Sequence, residues 1–292
     1  MTKEMSPPIR PTYAEPTPGE VKDAGIHFRE LQFAMINGFR PLSMDVWVPT
    51  AVQNPGIVIW VHGGAFLFGD RLHLPPTLRE NELRDSVLGA GLALATIDYR
   101  LSGECTFPAQ LHDVKAAIRY VRHFSSALGV DSDRIGIWGE SAGGHLATFA
   151  ALTANSDTLE GNVGLTGVSS AVSCCIDWYG PMDFMKMQTF QDRLSPEELL
   201  VGARTEDRPD LLQAASPINF VDASAPPFLV MHGTEDSLVP LEQSHSLVER
   251  LEQLDRDVTL IEVSGADHIF LNYADTSSLV SQSVGFLVNH LS

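Results

Sequence analysis

Apolar residues along the chain fall into two alternating rhythms. Runs that are continuously apolar, or β-branched in alternation, cover residues 26–33, 42–48, 56–61, 92–99, 134–138, 172–178, 227–231 and 258–263. Such runs read as strands, and the uninterrupted ones suit strands covered on both faces. Asn37 and Gly38 separate the first two, which predicts an antiparallel hairpin at the edge of a sheet. Among the later runs, residues 78–90, 109–128, 141–153, 241–254 and 277–291 place apolar side chains three and four positions apart, the spacing of helices. Strand and helix in alternation predict an α/β protein with a mostly parallel central sheet, helices on both faces and right-handed crossovers. Ligands of such a sheet bind at the carboxyl ends of its strands.

Two stretches break the rhythm. Residues 184–224 carry Met185, Met187, Phe190, Leu194, Leu199 and Leu200 among many charges, with no clear strand. They read as a small helical lid insertion whose methionines would make a deformable apolar wall, or else as an ordinary surface excursion. Residues 1–22 form an N-terminal arm, proline-rich and polar at its start, that either folds over the mouth of a site or is disordered. The remainder, 23–292, is expected to form one domain around one core.

Composition narrows the function classes. The start of the chain has neither a basic head nor an apolar stretch of signal-peptide length, and no run approaches the roughly 20 apolar residues of a membrane span. The expectation is a cytoplasmic protein without membrane partners. A net charge of −18 repels phosphate backbones and argues against nucleic acid as a partner. Cys105, Cys174 and Cys175 cannot build a disulfide framework and lack metal-site spacing, so no metal is expected and small buried apolar roles suit them.

The chemistry concentrates in four places. Gly139, Glu140, Ser141, Ala142 and Gly143 form Gly-x-Ser-x-Gly between an apolar run and a helical one, where a serine on a tight strand-to-helix turn needs small neighbours two residues away on either side. The hydroxyl is then held up from the sheet at the positive end of a helix. It needs an imidazole to take its proton and a carboxylate to hold that imidazole, in the chain order serine, acid, histidine. Of the downstream histidines, His145, His245 and His290 fall in helices and His232 ends a strand; His268 follows the last strand in a loop. For the acid, Asp236 lies on the loop after the run 227–231, with Glu235 and Asp267 as rivals; Glu235 is longer than needed and Asp267 is too close to the histidine. Upstream, His62, Gly63 and Gly64 follow the run 56–61, and their backbone N–H groups, with that of Ala142, would cradle an oxyanion.

These residues resemble the α/β-hydrolase fold. Within it, His62-Gly63-Gly64, Gly139 to Gly144, and the loops of Asp236 and His268 are similar to carboxylesterases and acetyl esterases of the hormone-sensitive-lipase-like group. They are similar also to the related bacterial feruloyl or acetylxylan esterase-like domains. Asp98 to Leu101, Phe107 to Ala109 and Asp113 match the segment those enzymes carry between the oxyanion loop and the serine turn. The resemblance runs from about Leu42 to the C-terminus. It implies hydrolysis of small neutral esters with short acyl chains, without a cofactor, by Ser141, Asp236 and His268. The N-terminus departs from it, being too short for the larger helical cap of many lipase-like members.

Phe66 and Phe68 beyond the oxyanion glycines, Trp178 and Tyr179 at a strand end, and Phe270 beyond His268 are candidates for an aromatic substrate pocket, or for core. An amidase, formamidase or aminoacyl peptidase would use the same triad. The last helix could pair two subunits into a homodimer or finish the core. Because the imidazole must be neutral to act as base, hydrolysis is expected to fall as the pH drops below about 6 to 7. A rate profile flat down to about pH 4 would remove the histidine from that role.

Overall fold

The computed structural model describes residues 12–22 and 25–292. Nine strands form one sheet: β1 (Glu20–Lys22), β2 (Gly25–Ala34), β3 (Leu42–Pro49), β4 (Ile57–Val61), β5 (Ala93–Ile97), β6 (Ile135–Glu140), β7 (Cys174–Trp178), β8 (Phe228–Gly233) and β9 (Val258–Val263). Their order across the sheet is β1-β2-β3-β5-β4-β6-β7-β8-β9. The pairs β1–β2, β2–β3 and β3–β5 are antiparallel, and those from β5 to β9 are parallel. This is the α/β-hydrolase arrangement; the expected hairpin, β2–β3, is present but sits one strand in, because β1 pairs outside β2 and forms the edge.

The helices are α1 (Glu82–Gly89), α2 (Ala109–His123), α3 (Ser125–Leu128), α4 (Ala142–Leu152), α5 (Asp157–Glu160), α6 (Pro196–Val201), α7 (Pro209–Ala214), α8 (Glu242–Glu252) and α9 (Thr276–Leu291). Strand alternation explains how they cover both faces. In β4, Ile57, Ile59 and Val61 join the core under α2, α4 and α8, while Val58 and Trp60 join the core under α1 and α9. Every residue of β4, β5, β6, β7 and β8 is buried, as continuously apolar runs predict. On the α1/α9 face, Trp60, Trp138 and Trp178 from three neighbouring strands meet edge to face, with ring centroids 4.9–6.1 Å apart.

Several boundaries differ from the hydrophobic pattern. The helix expected over 78–90 starts at Glu82, because Asn81 takes a left-handed backbone (φ 63°). The helix expected over 109–128 breaks at Phe124, whose ring packs against Tyr13 and Tyr120. Strand β1 has three exposed residues and so carries no burial pattern to read. Buried Cys174 and Cys175 are free thiols; burial pushes Cys174 up to about 12 and Cys175 well above its ordinary value.

Segment 184–224 folds as a 3-10 turn (Phe184–Lys186), α6, α7 and a second 3-10 turn (Pro217–Phe220). Local signals set α6: Ser195 and Glu198 form a reciprocal capping box, Pro196 opens the helix and Gly202 (φ 74°) closes it. In the N-terminal arm, Tyr13 packs on Tyr120 and Phe124, and the Tyr120 hydroxyl donates to the Ala14 carbonyl. Residues 12–14 thus lie against α2 and beside β2. A cover formed by residues 1–11 falls outside the described residues. Among the described residues, no helix is long and apolar enough to cross a membrane.

The tryptophan cluster gives a stability prediction. Trp138→Ala opens a cavity in a closed core and is expected to cost about 3–5 kcal/mol. Trp138→Phe should cost much less, because the Trp138 Nε1–H is buried without an acceptor among the described residues. Urea unfolding followed by circular dichroism measures both; equal losses would contradict the packing.

Candidate active site

Ser141 stands between the end of β6 and the start of α4 with φ 53° and ψ −121°, a backbone that residues other than glycine rarely adopt. Glycine on either side is a steric requirement. A Cβ on Gly139 would collide with the carbonyl of Gly143, and one on Gly143 with the carbonyl of Val61 in β4. The turn is clamped by two backbone bonds, Ser141 N–H to the Trp178 carbonyl (2.8 Å) and His145 N–H to the Ser141 carbonyl (3.0 Å).

His268 opens a 3-10 turn beyond β9, and Asp236 follows β8. His268 Nε2 lies 3.0 Å from Ser141 Oγ, and its Nδ1 lies 2.7 Å from Asp236 Oδ2. A carboxylate at Nδ1 fixes the proton there and leaves Nε2 as acceptor for the serine hydroxyl. The Asp236 side chain is fully buried. Burial by itself would raise its pKa, but hydrogen bonds from His232 and His268, the positive charge of His268 and the Val239 N–H together hold it well below the usual carboxylate range. Its Oδ1 also accepts the N–H groups of Leu238 (2.9 Å) and Val239 (2.8 Å).

The rival acids have other places. Glu235 faces solvent. Asp267 Oδ1 accepts the N–H and hydroxyl of Ser237 and the N–H of His268, which ties the acid loop to the histidine loop. His145 is buried, with Nε2 at 2.8 Å from the Ala215 carbonyl and its ring stacked on Phe184. His232 was not assigned a role from sequence. Its Nε2 donates to the Val239 carbonyl (2.9 Å) and passes 3.3 Å from Asp236 Oδ2, while its Nδ1 lies 2.7 Å from Ser244 Oγ, so Asp236 sits between two imidazoles. The spacing of four residues from His232 to Asp236 was the only signal available.

The oxyanion cradle needs a correction. The Gly63 N–H donates to Glu140 Oε1 at 3.0 Å and is not available to a substrate. No acceptor in the described residues meets the N–H groups of Gly64, Ala65 or Ala142. Ala65 and Ala142 line the cavity beside Ser141, whereas Gly63 and Gly64 do not. Gly64, Ala65 and Phe66 have φ of 103°, 53° and 61°, and the Leu67 and Phe68 N–H groups turn back onto the Gly64 carbonyl (2.9 and 3.2 Å), so the loop doubles back tightly here.

That cavity has a volume of about 420 Å³. Its walls include Phe66, Leu67, Pro181 and Val239, with Met187, Phe190, Leu194 and Leu199 contributed by segment 184–224. Of the five aromatic candidates only Phe66 lines it. Phe68 is 57% exposed and packs edge-on against His73. Trp178 points to the opposite face of the sheet, where its Nε1 donates to Ser283 Oγ. Tyr179 is fully buried; its ring lies 5.0 Å from that of His268 and its hydroxyl donates to Glu140 Oε2. Phe270 is buried between Trp178 and Tyr179. All three join the core on the α1/α9 face, where Tyr179 packs under the His268 ring and Phe270 fills the space between Tyr179 and Trp178. Among the described residues no cluster of His, Cys, Asp or Glu could hold a metal ion.

Comparison with known proteins agrees with this geometry. Residues 44–251, more than two thirds of the chain, match the family model BD-FAE. Esterase LipQ of Mycobacterium tuberculosis is 34% identical over 256 residues, covering 85% of this chain and 59% of its own length. Esterase LipC of the same organism is 35% identical over 241 residues, covering 78% and 56%. The chain thus spans less than two thirds of these relatives. A solved structure, the truncated form of a carbohydrate esterase from gut microbiota, superposes with a TM-score of 0.80 at 29% identity, covering 93% of this chain and 99% of its own. An esterase from Thermogutta terrifontis with propionate bound shares the fold, with a TM-score of 0.68 at 23% identity over 89% of this chain and 91% of its own. On the extent of the family match, and with the sheet and loops in the arrangement described, this chain belongs to the BD-FAE family.

Proposed function

We propose that the protein is a serine hydrolase that cleaves carboxylic esters of short acyl groups through an acyl-enzyme. The observation that carries the reading is the unbroken line from Asp236 Oδ2 through His268 to Ser141 Oγ, with contacts of 2.7 and 3.0 Å. His268 Nε2 takes the hydroxyl proton as Ser141 Oγ attacks the ester carbonyl. The oxyanion that forms is met by the N–H groups of Gly64, Ala65 and Ala142, the last at the positive end of α4. His268 then gives its proton to the leaving alcohol, and water repeats the course to release the acid. Asp236 stays ionised throughout and keeps the imidazole in the working tautomer.

The esterase names of LipQ and LipC support the reaction type. The solved carbohydrate esterase, with its 99% coverage, supports a carbohydrate hydroxyl as the leaving group. The cavity suits such a substrate in kind: apolar walls with a few polar groups, namely Gln188, Arg193, Glu197 and Ser237. Because segment 184–224 supplies one wall, its movement would admit or enclose the substrate.

Two variants test the reading with p-nitrophenyl acetate. Ser141→Ala should lower kcat by about 10⁴- to 10⁶-fold with an unchanged circular dichroism spectrum; near-wild-type turnover would remove the serine from the mechanism. Asp236→Asn should lower kcat by about 10⁴-fold through the wrong imidazole tautomer. Asp236 also links stability to pH. Its folded pKa is depressed, so its contribution is complete above the unfolded value of about 3.9 and is lost as the pH falls through the folded one. Acid unfolding of Asp236→Asn should therefore be less steep below about pH 4, and an unaltered slope would contradict the depressed value.

A further inference from the structure

The acid inside the serine turn takes no part in the course above. Glu140 is 3% exposed, and both its oxygens are engaged: Oε1 by the Gly63 N–H (3.0 Å) and Oε2 by the Tyr179 hydroxyl (3.2 Å). Burial pushes its pKa up, while Gly63, the His268 charge and Tyr179 work in the opposite direction. A solvated surface acid has no such partners.

The position of Gly63 explains what this contact does. Its carbonyl lies 2.7 Å from His62 Nδ1, and the hydroxyl of Tyr99, whose ring stacks on that of His62, is shared between the His62 carbonyl (3.0 Å) and the Gly63 carbonyl (3.2 Å). A trans peptide points its carbonyl and the following N–H in opposite directions, so holding the Gly63 carbonyl on one side turns the Gly64 N–H to the other. Glu140 pins the same residue at its N–H. A Cβ on Gly63 would lie 2.6 Å from Glu140 Oε1, so an alanine there would have to displace the carboxylate. On its other side, Glu140 holds Tyr179, whose ring rests edge-on against His268.

We infer that Glu140 is a positioning residue: one buried carboxylate fixes the oxyanion loop through Gly63 and the general base through Tyr179, so that donors and base share one frame. The inference rests on the hydrolase reading and goes beyond it in naming what holds the cradle. Three residues from three strand ends, after β4, within β6 and after β7, meet at this carboxylate.

The test compares Glu140→Ala, Glu140→Gln, Glu140→Asp and Gly63→Ala with the wild type. Readouts are kcat and KM on p-nitrophenyl acetate, Ki for an aryl trifluoromethyl ketone that forms a tetrahedral oxyanion adduct on the serine, and thermal melting. Glu140→Ala is expected to lower kcat about 100-fold, the scale of one lost oxyanion donor, and to weaken the ketone by a similar factor while KM moves by less than about threefold. Glu140→Gln keeps an oxygen for Gly63 and an amide for Tyr179, and should recover kcat to within about tenfold of wild type. Glu140→Asp keeps the charge but is one methylene short, and should be worse than Gln. Gly63→Ala should lower kcat alone yet add nothing to Glu140→Ala, because both act on one contact.

A folded Glu140→Ala with wild-type kcat and ketone affinity would overturn the inference. So would Asp outperforming Gln, a comparison that stands even where the alanine variant does not fold. Wild-type protein lacking any Ser141-dependent turnover would sink the hydrolase reading and this inference with it. Wild-type turnover together with an indifferent Glu140→Ala would sink the inference alone.

Discussion

The left-handed backbone at Ser141 is the constraint on which the rest of the molecule depends. A non-glycine residue held there costs about 1–3 kcal/mol, so surrounding contacts must over-determine it. Packing does so from three sides: Gly139 against Gly143, Gly143 against the Val61 carbonyl, and the Ser141 N–H on the Trp178 carbonyl. From that one turn follow the lift of the hydroxyl off the sheet, the free N–H of Ala142 at the head of α4, and the inward course of Glu140. Relaxing the turn would move all three together.

Parallel strands turn this local strain into a site. Because β4, β6, β7, β8 and β9 run in one direction side by side, their following loops all emerge at one end of the sheet. The loops then satisfy one another's polar groups. Asp236 takes three donors, from His268, Leu238 and Val239, with the His232 ring beside it, and Asp267 joins the acid loop to the histidine loop. Buried polar groups that are fully paired are rigid, and a rigid hydrogen-bonded array keeps an imidazole aimed at a hydroxyl in the absence of substrate.

Segment 184–224 is built by different physics. It contributes no strand to the sheet; it is held by short capped helices and by contacts such as Phe184 on His145 and the His145 ring on the Ala215 carbonyl. A buried histidine of the serine helix thus meets the wall of the cavity directly. Burial depresses the His145 pKa to about 4, so the ring stays neutral and the contact is one of stacking and a single hydrogen bond. The segment's methionine and leucines, scattered among charges, found their common cavity only through this packing.

Sequence by itself determined a great deal. Uninterrupted apolar runs encode strands covered on two faces, because both Val58 and Ile59 must find core, and Gly139, Ser141 and Gly143 encode the turn through a steric rule local to five residues. The order of serine, acid and histidine after successive strands pointed to Asp236 and His268, since loop position is a property of the chain. Tertiary structure decided whatever hangs on which side of a strand or loop a group faces. Gly63 lost its N–H to Glu140, 77 residues away; Trp178 went to the α1/α9 face by strand parity; Tyr179 went beneath His268 and Phe270 between Tyr179 and Trp178; His232 came up against Asp236. None of these is a local preference. Each is a contact between residues distant in sequence or a choice of face, and only the closing of the sheet and its loops around one another selects it.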